Sequence, residues 1–144
     1  LAAIEQVRPG NHWNDPHEAA VRVITEGLIR IGILKGKVDS LIEKEKYKAY
    51  YMHRTGHWLG MDVHDVGDYK IDDEWRLLEA GMVMTVEPGI YIPANTKGVD
   101  RKWWDIGIRI EDDVLVTKDG NEVLTDGVPK DIDGIENLMA AAND

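Results

Sequence analysis

The stretch His53-Arg54-Thr55-Gly56-His57-Trp58-Leu59-Gly60-Met61-Asp62-Val63-His64-Asp65 carries three of the chain's five histidines, together with two glycines and two aspartates. Histidine binds borderline metals and moves protons near neutral pH, so three within one strand's length point to a site. If Trp58 to His64 formed one unbroken strand, side chains would alternate faces and His57 and His64 would point opposite ways. Both reach one cavity only if the backbone slips by one residue between them, and Gly60 is where a bulge or sharp bend is cheapest. Taken singly, each histidine fits an exposed or structurally hydrogen-bonded position equally well. The constellation is what favours a site.

The 144 residues suffice for one domain with a core. With 27 acidic against 17 basic residues the formal charge is -10, which argues against nucleic acid and anionic membrane surfaces as partners. There is no cysteine, so any metal must be held by His, Asp and Glu. That composition is consistent with a reducing compartment, and a cytoplasmic location is expected. No apolar run approaches a membrane span, and the opening Leu-Ala-Ala-Ile is neither a signal peptide nor a Met start. A processed product or a piece of something longer is expected.

Leu1 to Val7 reads as the tail of a helix stopped by Arg8-Pro9-Gly10. Asn14-Asp15-Pro16 supplies an N-cap and an early proline for an amphipathic helix from Pro16 to about Leu34, ending near Gly36. His12 and His17 flank its start and read as surface or capping residues. Ser40 to Tyr51 predicts a short helix or turn, Asp65 to Asp73 a loop, and Trp75 to Glu79 a turn. Met82 to Glu87 alternates, with Val83, Thr85 and Glu87 on one face and Met82, Met84 and Val86 on the other. Pro88-Gly89 turns the chain, Ile90 to Ile92 resumes it, and Ala94 to Asp105 is a polar loop. Ile108 to Thr117 predicts a hairpin or a bent strand with Arg109 and Glu111 on one face. A turn at Asp119-Gly120, a strand from Val123 to Thr125 and a closing helix from Asp131 to about Ala142 complete an α+β order with an antiparallel sheet.

Glu87, closing an apolar strand before Pro-Gly, is placed to reach a cavity at the sheet's end. Arg109 can orient a neighbouring carboxylate. Metal-assisted hydrolysis is the chemistry these residues suggest, with His57, Glu87 and Glu111 as ligands and His53 and His64 nearby for proton transfer or oxyanion stabilisation. No Gly-x-Ser-x-Gly elbow and no cysteine nucleophile support covalent acyl transfer.

Three segments in this order carry a family resemblance: His53 to Asp65, Glu79-Ala80-Gly81-Met82-Val83-Met84-Thr85-Val86-Glu87-Pro88-Gly89-Ile90-Tyr91, and Gly107-Ile108-Arg109-Ile110-Glu111-Asp112-Asp113. They resemble the C-terminal half of the catalytic domain of the aminopeptidase P and prolidase family, and Trp58 with the last segment resembles bacterial Xaa-Pro aminopeptidases. The resemblance implies a pita-bread fold, a curved antiparallel sheet covered by helices, with residues 1–144 as the C-terminal portion of a metallopeptidase catalytic domain. It also implies two divalent ions, Mn2+ foremost with Co2+ or Zn2+ as alternatives, and peptide substrates with proline in second position. By motif position His57 and Glu87 would bind one ion and Glu111 would bridge both. His53 and His64 would contact substrate and assist proton transfer, Arg109 would support the ligands, and Tyr91 with His53 would line the proline pocket. Arg54 stands where the family commonly has glycine.

Two aspartate ligands of the family precede the helices, and no such pair stands before Asn14. The chain alone, with three of five ligands, is therefore expected to bind metal weakly and not to turn over. It is also expected to self-associate as a homo-oligomer through exposed sheet edge. An Xaa-Pro dipeptidase, a catalytically silent binding module on the same fold, and a structural domain with hydrogen-bonded histidines are the competing readings.

Overall fold

In a computed structural model, residues 1–142 are described. Helix α1 spans Asp15–Arg30, α2 Val38–Glu43 and α3 Ile132–Ala141. The strands are β1 Lys70–Ile71, β2 Glu74–Trp75, β3 Val83–Val86, β4 Gly89–Ile92, β5 Ile106–Arg109, β6 Asp112–Val116 and β7 Asn121–Val123, and all pairings are antiparallel.

β3 and β4 form one line and β5 and β6 another, so the two pairings are parts of a single long ladder. Val86 lies opposite Asp112 and Gly89 opposite Arg109, with the same register carried through. The ladder is interrupted at Pro88, which has no N–H to give, although the Ile110 N–H still reaches the Pro88 carbonyl at 3.4 Å. Ile108 to Thr117 is thus a bent strand and not a hairpin, because β5 and β6 pair with different neighbours.

Alternation divides the ladder into two faces. Met84 and Val86 of β3, Val114 and Val116 of β6, and Ala20, Val21, Ile24 and Leu28 of α1 join one buried cluster. Thr85 and Glu87 take the opposite face, as their spacing predicts. Extended backbone from Thr55 to Leu59 lines the other edge of β3: the Glu87, Thr85 and Leu59 amides donate to the Thr55, His57 and Val83 carbonyls at 2.7, 3.0 and 3.1 Å. Gly56 is needed there, since a Cβ would meet the Thr85 carbonyl oxygen at 1.9 Å.

Several expected boundaries move. Only Ile4–Gln6 is helical before Pro9, as a single 3-10 turn. α1 ends earlier than Gly36 because Gly32 (φ +80°) adopts the left-handed conformation. The Gly32 amide donates to the Ile29 carbonyl and the Ile33 amide to the Leu28 carbonyl, a Schellman closure. Asp72 and Asp73, both at positive φ, make a tight turn between β1 and β2 where a loop was expected. The Ser40 to Tyr51 region resolves into α2, starting at Val38, and a 3-10 turn at Lys46–Ala49. α3 is capped by Asp131, which accepts from the Gly134 amide at 2.8 Å, but its apolar residues Ile132 and Leu138 are exposed. No helix among the described residues is long and apolar enough to cross a membrane.

His17 is partly buried on α1, where its Nδ1 lies 2.9 Å from the Thr55 hydroxyl, which is itself 2.5 Å from the Tyr51 hydroxyl. Burial first, then the charges of Arg54, His53 and Lys48, lower the His17 pKa from 6.5 to about 4.

Two outcomes follow from this packing. Gly56→Ala forces backbone apart and should cost about 3 kcal/mol in chemical denaturation, whereas Gly27→Ala in α1, where a Cβ meets nothing within 4 Å, should stabilise by about 0.5–1 kcal/mol. The unfolded chain protonates His17 near pH 6.5 and the folded chain only near 4, so this contribution to stability is whole above the first value and is lost as pH falls to the second. His17→Asn should flatten the melting temperature against pH between those values; a slope equal to wild type would show that His17 is not its source.

Candidate metal centre

Carrying the ladder register through its gap places Glu87 opposite Glu111. Their carboxylates and an imidazole nitrogen of His57 lie within 4.8 Å of one another. The two glutamates come from the two lines of the ladder and the histidine from the edge segment, so three chain segments supply one donor each.

Each donor is aimed by a neighbour. His57 Nδ1 is 2.9 Å from the Trp58 carbonyl, which can only accept, so Nδ1 carries the proton. In the neutral ring Nε2 is then a lone pair, and it faces Glu87 Oε1 at 3.4 Å. Two acceptors face each other there, an arrangement satisfied by a proton or a cation between them. The Thr85 hydroxyl accepts from the His57 amide at 3.1 Å and donates to Glu87 Oε1 at 3.3 Å, tying the two donors together. Arg109 NH1 pairs with Glu87 Oε2 at 3.1 Å. Glu87 is only 9 % exposed, so it is fixed between a guanidinium and a hydroxyl while Glu111 remains exposed.

A second chain of contacts runs outward from Arg109. Its Nε–H donates to the Tyr91 hydroxyl at 2.8 Å, and that hydroxyl lies 3.0 Å from His53 Nε2. His53 Nδ1 is 2.7 Å from the Arg54 carbonyl and therefore carries the ring proton, leaving Nε2 to accept from Tyr91. Arg109 NH2 also stands 3.3 Å from His53 Nε2. The Tyr91 hydrogen bond, followed by the Tyr91, Glu87 and Glu111 charges, raises the Arg109 pKa. Gly89 leaves room for this, since a Cβ there would meet the Tyr91 hydroxyl at 2.6 Å.

His64 reaches the site by a route other than a continuous strand. Beyond Leu59 the chain bends, the Gly60 amide donating to the Asp62 carbonyl and the Asp65 amide to the Trp58 carbonyl at 3.2 and 3.1 Å. This returns His64 edge-on to His57, with ring centroids 4.3 Å apart. Gly60 is the pivot: a Cβ would lie 1.8 Å from Asp65 Oδ2.

The seven residues singled out from sequence, His53, His57, His64, Glu87, Tyr91, Arg109 and Glu111, thus fall in one connected neighbourhood. Arg109 shares a strand face with Glu111 but makes its ion pair with Glu87 across the ladder. Thr85, Thr55 and His17 were not singled out. Thr85 had a readable signal in its parity with Glu87, whereas His17 had none, because its partner lies far along the chain.

The donor set is all oxygen and imidazole nitrogen, suited to divalent ions of intermediate hardness. Among the described residues it is the one group of three or more such side chains that converge closely enough to hold an ion. Comparison with known proteins agrees. The chain is 53% identical over 137 residues to the Xaa-Pro aminopeptidase of Haemophilus influenzae, spanning 95% of this chain and 31% of that protein. It is 49% identical over 135 residues to the Xaa-Pro aminopeptidase of Escherichia coli, spanning 94% of this chain and 30% of that one. The solved structure of aminopeptidase PepP from Pseudomonas aeruginosa superposes with a TM-score of 0.96 at 64% identity, over 99% of this chain and 32% of that chain. The chain therefore spans about a third of the length of the relatives it matches, and it has the pita-bread architecture of the aminopeptidase P structures. Residues 1–118 match the profile of metallopeptidase family M24, and the chain belongs to that family.

Proposed function

We propose that these residues are the C-terminal part of the catalytic domain of an Xaa-Pro aminopeptidase, which releases the N-terminal residue from peptides with proline in second position. The observation that carries this is the convergence of His57, Glu87 and Glu111 on one point. The relatives named as Xaa-Pro aminopeptidases and the aminopeptidase P structures support the reaction class. Two divalent ions, Mn2+ foremost, are the expected cofactors, with further carboxylate ligands supplied from outside this chain.

When bound, such ions acidify water toward neutral pH and polarise the scissile carbonyl. The chain's own residues do the rest. Arg109 and Thr85 hold the Glu87 carboxylate so that its oxygens stay turned toward the centre. The Trp58 carbonyl fixes His57 in the tautomer that presents Nε2. His64 stands beside His57, exposed and able to pass a proton to the departing amine. His53 Nε2, within reach of the Tyr91 hydroxyl and the Arg109 guanidinium, belongs to a polar wall suited to a substrate carbonyl or a developing oxyanion. The Tyr91 ring offers proline an apolar surface.

A soluble cytoplasmic enzyme acting on peptides fits the acidic, cysteine-free composition. Self-association finds support in exposed Ile108 and Ile110 beside an apolar hollow of about 350 Å3 that also includes Ile4, Val86 and Ile90.

In the full-length gene product, Xaa-Pro-Xaa tripeptides should be cleaved, the activity should vanish on chelation, and Mn2+ should restore it. Cleavage of Xaa-Pro dipeptides alone would instead establish a dipeptidase. Glu87→Gln and His57→Ala should each weaken metal binding at least about tenfold by calorimetry, and unchanged affinity would remove the metal-centre reading. Residues 1–144 expressed alone should show no turnover and should sediment with a concentration-dependent mass; proline-specific cleavage by that chain, or a constant monomer mass, would contradict the corresponding statement.

A further inference from the structure

We propose that His17, Thr55 and Tyr51 are positioning residues, a hydrogen-bonded chain that sets the register of the histidine segment on β3 and so the spacing of His57 and Glu87. The inference rests on the metal-centre reading above.

Thr55 is the joint. Its carbonyl accepts the Glu87 amide at 2.7 Å, and it stands two residues before His57 on the same extended segment. Its hydroxyl lies between the Tyr51 hydroxyl at 2.5 Å and His17 Nδ1 at 2.9 Å. Thr55 is 2% exposed and Tyr51 fully buried, so the hydroxyl of Thr55 depends on these partners.

The Thr55 hydroxyl can be satisfied in either direction along this line, from Tyr51 toward His17 or from His17 Nδ1–H toward Tyr51. Burial pushes the Tyr51 pKa up to about 12, so Tyr51 keeps its proton and is able to donate to Thr55. In the first direction the Thr55 proton points to His17 Nδ1, which is then the unprotonated ring nitrogen. Burial, with the positive charges of Arg54, His53 and Lys48, keeps the His17 ring neutral, so one ring nitrogen donates and the other accepts. Glu87 is the carboxylate that acts on Tyr51. Each member of the trio thereby has a donor or acceptor role that the others complement.

Apolar side chains would fill this space without the cost of burying three polar groups. They would also leave the segment free to slide. A slip of one residue along β3 would turn His57 to the opposite face and take it away from Glu87. Directional hydrogen bonds from α1 and from Tyr51 oppose that slip at Thr55, two residues before the ligand.

The test compares paired substitutions in the full-length gene product, titrated with Co2+ and read by its visible absorption. Thr55→Val removes the hydroxyl at nearly constant shape and Thr55→Ser keeps it; His17→Leu removes the polar partner and His17→Asn returns one near Nδ1. Thr55→Val and His17→Leu should bind Co2+ about 10–100-fold more weakly with an altered spectrum, and the two conservative variants should stay within about threefold of wild type. In the metal-free protein, hydrogen exchange at the Glu87 amide should quicken in the same two variants. Should Thr55→Val fail to fold, the His17 pair decides alone. A purely structural role would lower melting temperatures while leaving Co2+ affinity and spectrum unchanged below the melt, and that result overturns the proposal. Wild-type protein that binds no Co2+ overturns both this proposal and the metal-centre reading, whereas wild-type binding with unchanged variants overturns only the former.

Discussion

Two carboxylates placed opposite each other across a β ladder are the constraint around which this structure is arranged. Glu87 and Glu111 occupy facing register positions, where like charges are destabilising even on an open sheet. Here one of them is almost buried, so the penalty is larger. The ladder gives way at this point, where Pro88 removes one amide. The surroundings then supply positive or donor character from three directions: Arg109, the Thr85 hydroxyl and, when charged, His57. An ordinary sheet would place a Thr or Val at one of these positions. Arg109 offsets Glu87 and solvent reaches Glu111, and a cation between them would offset both at once.

Strand alternation lets a small sheet serve both packing and chemistry. The face bearing Met84, Val86, Val114 and Val116 packs into the core with α1. Its reverse carries Thr85, Glu87 and, across the ladder, Glu111. Rigidity of the core is thus transmitted directly to the donors, because neighbouring residues on one strand cannot move independently. Asp112 shows how strictly the division holds. Though adjacent to Glu111, it turns inward, is 3% exposed, and is matched by Lys130 at 2.9 Å and the Thr125 hydroxyl at 2.7 Å. An acid on the core side needs such partners, since a lone buried carboxylate would cost several kcal/mol.

How much of this could be read from the chain depends on the range of the interaction. The two faces of β3 follow from alternation between Met82 and Glu87 alone, and the structure keeps them. The need for a backbone departure at Gly60 also follows from local parity, and of the bulge or sharp bend expected there the structure has the bend. The hairpin at Asp72-Asp73 escaped notice because its strands are two residues long and carry no alternation. The end of α1 depended on which of two glycines, Gly32 or Gly36, took the left-handed cap, and Leu28 decided it by accepting from the residues after Gly32. His17, expected as a surface or capping residue, is half-buried for a reason that is not local. Its environment is made by Thr55 and Tyr51, far along the chain, and nothing local in Pro16-His17-Glu18 announces them. The opposition of Glu87 to Glu111 is of the same kind, since a register is a property of a pair of strands and not of either one.

The unequal exposure of the donors adds a further step. His57 and Glu87 are shielded, with side chains 14% and 11% accessible, whereas Glu111 is open. A cation held among them would be shielded on the side of His57 and Glu87 and uncovered on the side of Glu111. A divalent ion held by these three donors would take further ligands, for which the exposed side of Glu111 leaves room. Ligands drawn from separate segments also couple binding to folding: whatever fills the centre stabilises the register of the ladder and of the histidine segment together. The same geometry that makes Glu87 and Glu111 repel in isolation would, with a cation between them, clasp the edge segment that carries His57 and, through the bend at Gly60, the loop that carries His64.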